Sequence, residues 1–183
     1  MFKNRNINLV FFLLAIIIFS LTFFSGEVND YRLYLKNWNI SNAGGNPWVT
    51  EFNGISVRNS TYGPLHTVIG YFVLINPLLP KVIFAGTGLI IFLLLVHVKN
   101  NLTKKIKNSD LLIILLIYPL FPFTIIVSYI YGINDSLIAL LVIIACEARR
   151  QNKMTITGAL LGLGALLKFY PILFLTFFSL SSK

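Results

Sequence analysis

Three charged residues stand where an apolar chain has reason to exclude charge: Asp30 in "GEVNDYRLYLKNWN", Asp135 in "YGINDSLIAL" and Lys168 in "GALLGLGALLKFYP". A carboxylate placed against a hydroxyl can draw off its proton as a general base. A lysine ammonium is a compact cation suited to phosphate oxygens. Asp30 and Asp135 are therefore candidate catalytic groups, and Lys168 a candidate phosphate-binding group, with Arg58 and Arg32 as alternatives in the loop after the first helix. Each also has a plainer reading. Asp135 would cap a helix that begins there and meet the positive end of its dipole. Asp30 would be a solvated loop residue, and Lys168 would snorkel to an interface.

Rings accompany these charges. "NAGGNPW" and "NSTYGPLH" set Trp48, Tyr62 and His66 among turn-forming glycines and prolines, and Tyr170 sits between Lys168 and Pro171. Such rings stack on a sugar or lie in an interfacial aromatic belt. His97 has no second histidine or carboxylate clustered with it, so no metal is assigned to it. The single cysteine, Cys146, excludes an intrachain disulfide and a cysteine-based metal site.

The elements that must position these residues are long apolar blocks. Of 183 residues 56% are hydrophobic, and runs at 7–24, 81–98, 110–129 and 134–148 each approach the roughly 20 residues that a bilayer requires. The first is longer than a signal-peptide core and lacks a convincing cleavage site, which makes it a retained helix. The net charge of +9 is gathered at the ends of these runs, in Lys3 and Arg5, Lys99 to Lys107, and Arg149 to Lys153. That pattern orients a membrane protein and excludes a nucleic-acid partner. With "PLHTVIGYFVLINPLLP" as a juxtamembrane helix, all three basic clusters fall inside and 25–80 becomes an outer loop. The last block breaks before Pro171, giving a helix of about 154–168 and a returning one. At about 1.5 Å rise per residue, Asp135 to Arg149 and Lys153 to Lys168 each span about 21–23 Å, so Asp135 and Lys168 are expected to wall one outward-facing cavity.

The order of a basic then apolar first helix, Asp30, "YGPL", "YGIND" opening a helix, and "GALLGLGALLKFYP" resembles the GT-C glycosyltransferases. Within that superfamily it looks most like the polyprenol-phosphate-mannose-dependent mannosyltransferases. The resemblance covers most of the chain. It implies displacement at an anomeric carbon with a polyprenyl phosphate leaving, Asp30 matching the first-loop catalytic carboxylate. Only one carboxylate of the pair that many relatives carry there is present, in "VNDYR".

The resulting expectation is an all-α polytopic membrane protein with five to six membrane helices plus the juxtamembrane helix. It is a single transmembrane domain over 1–183, the N-terminal part of a GT-C module. Catalysis falls to Asp30 and Asp135, donor phosphate binding to Lys168 and Arg58, and substrate binding to Tyr62, His66 and Tyr170. The donor would be a lipid-linked sugar, with a divalent metal left open. The partners would be membrane lipid, a polyprenyl-phosphate sugar and a completing membrane subunit, and the location a bacterial inner membrane with its active face outward. The rivals are a transporter or flippase-like protein, with Asp135 and Lys168 lining a path, and an inactive assembly subunit.

Overall fold

The computed structural model describes residues 2–49, 51–52, 55–56, 62–102, 124–174 and 176. Its helices are α1 (Phe2–Phe24), α2 (Asn29–Asn42), α3 (Pro64–Ile69), α4 (Leu79–Leu102), α5 (Asp135–Arg150) and α6 (Met154–Leu167). A 3₁₀ turn, Gly70–Leu74, continues α3, and a π-helical turn, Ile125–Ile130, precedes α5. Two antiparallel strands of two residues each, β1 (Glu51–Phe52) and β2 (Ile55–Ser56), form the one sheet among the described residues. The chain divides into two compact units, Met1–Asp30 with Lys81–Ser136, and Tyr31–Pro80 with Leu137–Lys183.

In the first unit, Ile18 of α1, Ala85 of α4 and Tyr129 of the π-helical turn form a buried core, joined by Leu14, Phe19 and Ile125. The Ser136 hydroxyl donates to the Phe84 carbonyl at 2.6 Å and accepts from Thr87 at 2.9 Å. Helix α1 ends where Gly26 turns left-handed at φ +59, a conformation that glycine adopts without strain.

In the second unit, α2 buries Tyr31, Tyr34, Leu35 and Trp38, the i, i+3, i+4, i+7 stripe of a helix facing a core. Gly70 lies directly under Trp38, where an added Cβ would stand 2.1 Å from Cδ1. The α5–α6 hairpin closes through Asn152 at φ +60. There Lys153 N–H reaches the Ala148 carbonyl at 2.9 Å and Asn152 N–H the Arg149 carbonyl at 2.9 Å, so two otherwise orphaned helix-end carbonyls are satisfied.

The structure corrects the membrane topology. Among the described residues no single helix is long and apolar enough to cross a membrane. The apolar helical segments Phe12–Phe24 and Met154–Leu167 fall short of the roughly 20 residues needed. One pair, Pro64–Leu74 with Leu79–Leu94, reaches the required length and apolarity together, but it is bent by 119°. The expectation of five to six membrane helices is overturned, and with it the inner-membrane location and the membrane-lipid and membrane-subunit partners derived from it. The breaks at 75–78 and at Lys168 lie near the expected ends of the segments 64–80 and 154–168, so the shortfall is in the apolar helices themselves: an apolar run approaching 20 residues is not yet an apolar helix of that length. Within the stretch 25–80, α2 stands in addition to the helix expected at 64–80, which opens as α3; most of the apolar run 110–129 lies outside the described residues.

Gly70→Ala is expected to destabilise the fold by about 1–3 kcal/mol, the usual cost of forcing extra volume into a packed core. A lowered midpoint of thermal unfolding checks it.

Candidate functional site

The second unit gathers Tyr62, His66 and Lys168 around α2, and one backbone contact brings them together. Helix α6 stops at Leu167 because Lys168 adopts extended backbone, φ −147 and ψ 145, ahead of Pro171, whose ring packs against Gly164. The freed Leu167 carbonyl accepts the Gly63 N–H at 3.0 Å. Only glycine fits there, since a Cβ on Gly63 would stand 2.2 Å from the Leu166 carbonyl oxygen. Pro64 then opens α3, where its missing N–H costs nothing. Tyr62 and Lys168, the neighbours of the joined residues, become neighbours themselves, with Lys168 Nζ 5.2 Å from the Tyr62 ring centroid in a cation–π arrangement.

His66 is 1% exposed. Its ring stacks on Tyr62 at 4.5 Å and 24°, and on Trp38 at 4.8 Å and 30°, with Tyr34 edge-on at 4.6 Å. Hydrogen bonds fix the group: Tyr34 donates to the Tyr62 hydroxyl at 2.9 Å, Trp38 Nε1 to the His66 carbonyl at 2.8 Å, and Trp48 Nε1 to the Tyr62 carbonyl at 3.0 Å. Burial, with a smaller contribution from the Lys168 charge, lowers the His66 pKa to about 3. The imidazole is therefore neutral at physiological pH and serves as a ring in the stack. Tyr62 and Lys168 are half-buried and form the accessible side of the group, and Tyr170, two residues beyond Lys168 in the chain, is exposed.

The two candidate bases belong to the first unit. Asp30 is exposed in the first turn of α2, and Asp135 is half-buried in the first turn of α5, both favourable positions for a carboxylate at a helix dipole. Arg58 lies outside the described residues, and Arg32 is exposed on α2. Among the described residues no group of three or more metal-ligating side chains is found.

Sequence reasoning missed Lys81, the best-organised cation of the first unit. It is wholly buried, donating to the Ser25 hydroxyl at 2.7 Å and the Gly26 carbonyl at 2.6 Å. Burial lowers its pKa to about 8. Its aliphatic stem runs beneath the "YGIND" turn, where Gly132 has φ +63 and a Cβ would stand 2.5 Å from Lys81 Cγ. Lys81 thus supports the turn that delivers Asp135. The glycine in "YGIND" was its one visible trace.

The second unit thus sets a half-buried lysine over a half-buried tyrosine on a stacked aromatic group, and the first unit sets carboxylates at helix starts. Residues 61–183 match glycosyltransferase family 87, and the chain belongs to that family, part of the GT-C superfamily. No curated protein and no solved structure matches the chain. Tyr62, His66, Asp135, Lys168 and Tyr170 fall within the matched segment, and Asp30 and Arg58 precede it. Family membership carries sugar transfer in general. The expected outer-face reaction in a membrane-embedded site is corrected, as is a transport path through membrane helices, because the spanning helices that both require are not found among the described residues.

Two outcomes follow from the site's construction. Between about pH 6.5 and 3 the unfolded chain protonates His66 while the folded chain does not, so its contribution to stability is complete above pH 6.5 and is lost as pH falls toward 3. The stability advantage of wild type over His66→Phe is expected to shrink over that window in thermal melts, whereas a constant difference contradicts the assignment. Gly132→Ala is expected to lower the melting midpoint, because it combines a left-handed backbone with a clash on a buried lysine stem.

Proposed function

We propose that this chain transfers a hexosyl group from a donor whose leaving group is a phosphate, with Lys168 and Tyr62 receiving the donor phosphate. The observation that carries the reading is the placement of the Lys168 ammonium 5.2 Å from the centre of a half-buried tyrosine ring within the family-matched segment. In the displacement, an acceptor oxygen forms a bond to the anomeric carbon as the bond from that carbon to the phosphate oxygen breaks. The leaving phosphate keeps the electron pair, and the acceptor proton passes to a carboxylate. A fixed cation beside the departing oxygens stabilises charge that grows in the transition state. Tyr62 supplies a hydroxyl, and its ring is held against the buried His66, which in turn stacks on Trp38. Tyr170, exposed at 44%, is available to the sugar or the acceptor. Asp135 and Asp30 are the proposed bases, Asp135 having the stronger support because it lies within the family-matched segment.

Product formation by the purified chain, assayed with polyprenyl-phosphate mannose and with nucleotide-linked hexoses, tests the reading and identifies the donor class. Lys168→Met is expected to lower kcat/KM by about 10²-fold or more, the scale seen when one charge-stabilising group is removed. Asp135→Asn is expected to lower kcat by about 10²–10⁴-fold, the range of general-base contributions. Wild-type turnover in Lys168→Met, or no transfer by the wild-type chain from any of these donors, would overturn the proposal.

A further inference from the structure

We infer that Asn37 and Ser41 of α2 form a hydroxyl-binding subsite for the hexosyl group, beside the aromatic group that carries Tyr62. The inference rests on the sugar-phosphate reading of Lys168 and Tyr62 and adds the groups that would recognise the sugar itself.

Asn37 is 2% exposed, and neither its Oδ1 nor its Nδ2 has a hydrogen-bond partner among the described residues. Ser41 Oγ is likewise buried without a partner, although Ser41 as a residue is only half-buried. Asn42 Oδ1 repeats the pattern, while its Nδ2 donates to the Gly70 carbonyl at 3.3 Å. Buried polar side chains are nearly always hydrogen-bonded, and an apolar residue of the same shape suits an unpaired position better. An amide retained in the middle of an aromatic helix face points to a hydrogen-bonding ligand.

Helix geometry places this polar pair against the rings. Residues three and four apart are neighbours on a helix. Asn37 follows Tyr34 by three, Ser41 follows Asn37 by four, and Ser41 follows Trp38 by three. The four side chains make one patch on which two aromatic residues border an amide and a hydroxyl. An amide presents two donors and an acceptor, which matches a sugar hydroxyl, itself both donor and acceptor. A phosphate presents mostly acceptor oxygens and is charged, so it is better matched by an ammonium than by Oδ1. The chemistry therefore assigns phosphate to Lys168 and sugar hydroxyls to Asn37 and Ser41.

Calorimetric titration of the full chain with hexose 1-phosphate and with inorganic phosphate separates this inference from the reading beneath it. Asn37→Leu is expected to weaken hexose 1-phosphate binding about tenfold, the size of one good hydrogen bond to a buried group. It should leave inorganic phosphate unchanged and raise the unfolding temperature. Lys168→Met should weaken both ligands. Unchanged hexose 1-phosphate affinity in Asn37→Leu overturns the subsite and leaves Lys168 in place, whereas unchanged affinity for both ligands in Lys168→Met overturns the reading of Lys168. Ser41→Ala serves where Asn37→Leu does not fold: weaker hexose 1-phosphate with unchanged phosphate supports the subsite, and no change in either ligand overturns it.

Discussion

The candidate site depends on one hydrogen bond, from the Gly63 N–H to the Leu167 carbonyl at 3.0 Å. A helix end leaves carbonyls without intrahelical partners, and a helix start leaves N–H groups in the same condition. Here each supplies what the other lacks. The backbones approach so closely that a single methyl group on residue 63 would collide with the Leu166 carbonyl. Because the contact is between backbones, it fixes the side chains on either side of it. Tyr62 and Lys168 meet at the edge of the contact between α3 and α6.

The aromatic group adds rigidity to that placement. His66 is held between two near-parallel rings, and its burial keeps it uncharged, so the stack contains no fluctuating charge of its own. The positive charge of the site is concentrated in Lys168 at its accessible edge. The result is a neutral stack of rings with a cation at its rim, apolar surface and charge lying side by side without mixing. In the first unit Lys81 does the opposite work: its ammonium is turned inward to hold the end of α1, and its stem shapes the turn before Asp135.

Local punctuation was legible in the sequence. The break ahead of Pro171 and the helix start at Asp135 appear where proline geometry and the carboxylate indicated, and "YGP" identified the point where the chain turns into α3. Hydropathy misled because runs approaching 20 residues do not fold as single helices of the length and apolarity that a span needs, whereas the boundary drawn between 64–80 and 81–98 coincides with the 119° bend between Pro64–Leu74 and Leu79–Leu94. The aromatic periodicity of Tyr31, Tyr34 and Trp38 was present in "NDYRLYLKNWN", but neighbouring asparagines and glycines made the stretch read as loop. Lys81 could not be recognised from its surroundings, since its partners Ser25, Gly26 and Gly132 are about 50 residues away on either side. Nor does composition reveal that Asn37 is buried, because an asparagine between a lysine and a tryptophan is ordinary in sequence.

The Gly63–Leu167 contact also sets an order of events during folding. Its two residues are more than a hundred positions apart in the chain, so the closure between them carries a large entropic penalty that local helix formation does not. Helices α2 and α3 can form their aromatic stripe early, from residues close in sequence, but Tyr62 acquires its lysine only when α6 has been made and has docked. The pairing of Lys168 with Tyr62 therefore comes after the α2–α3 aromatic stack, whose residues are close in sequence.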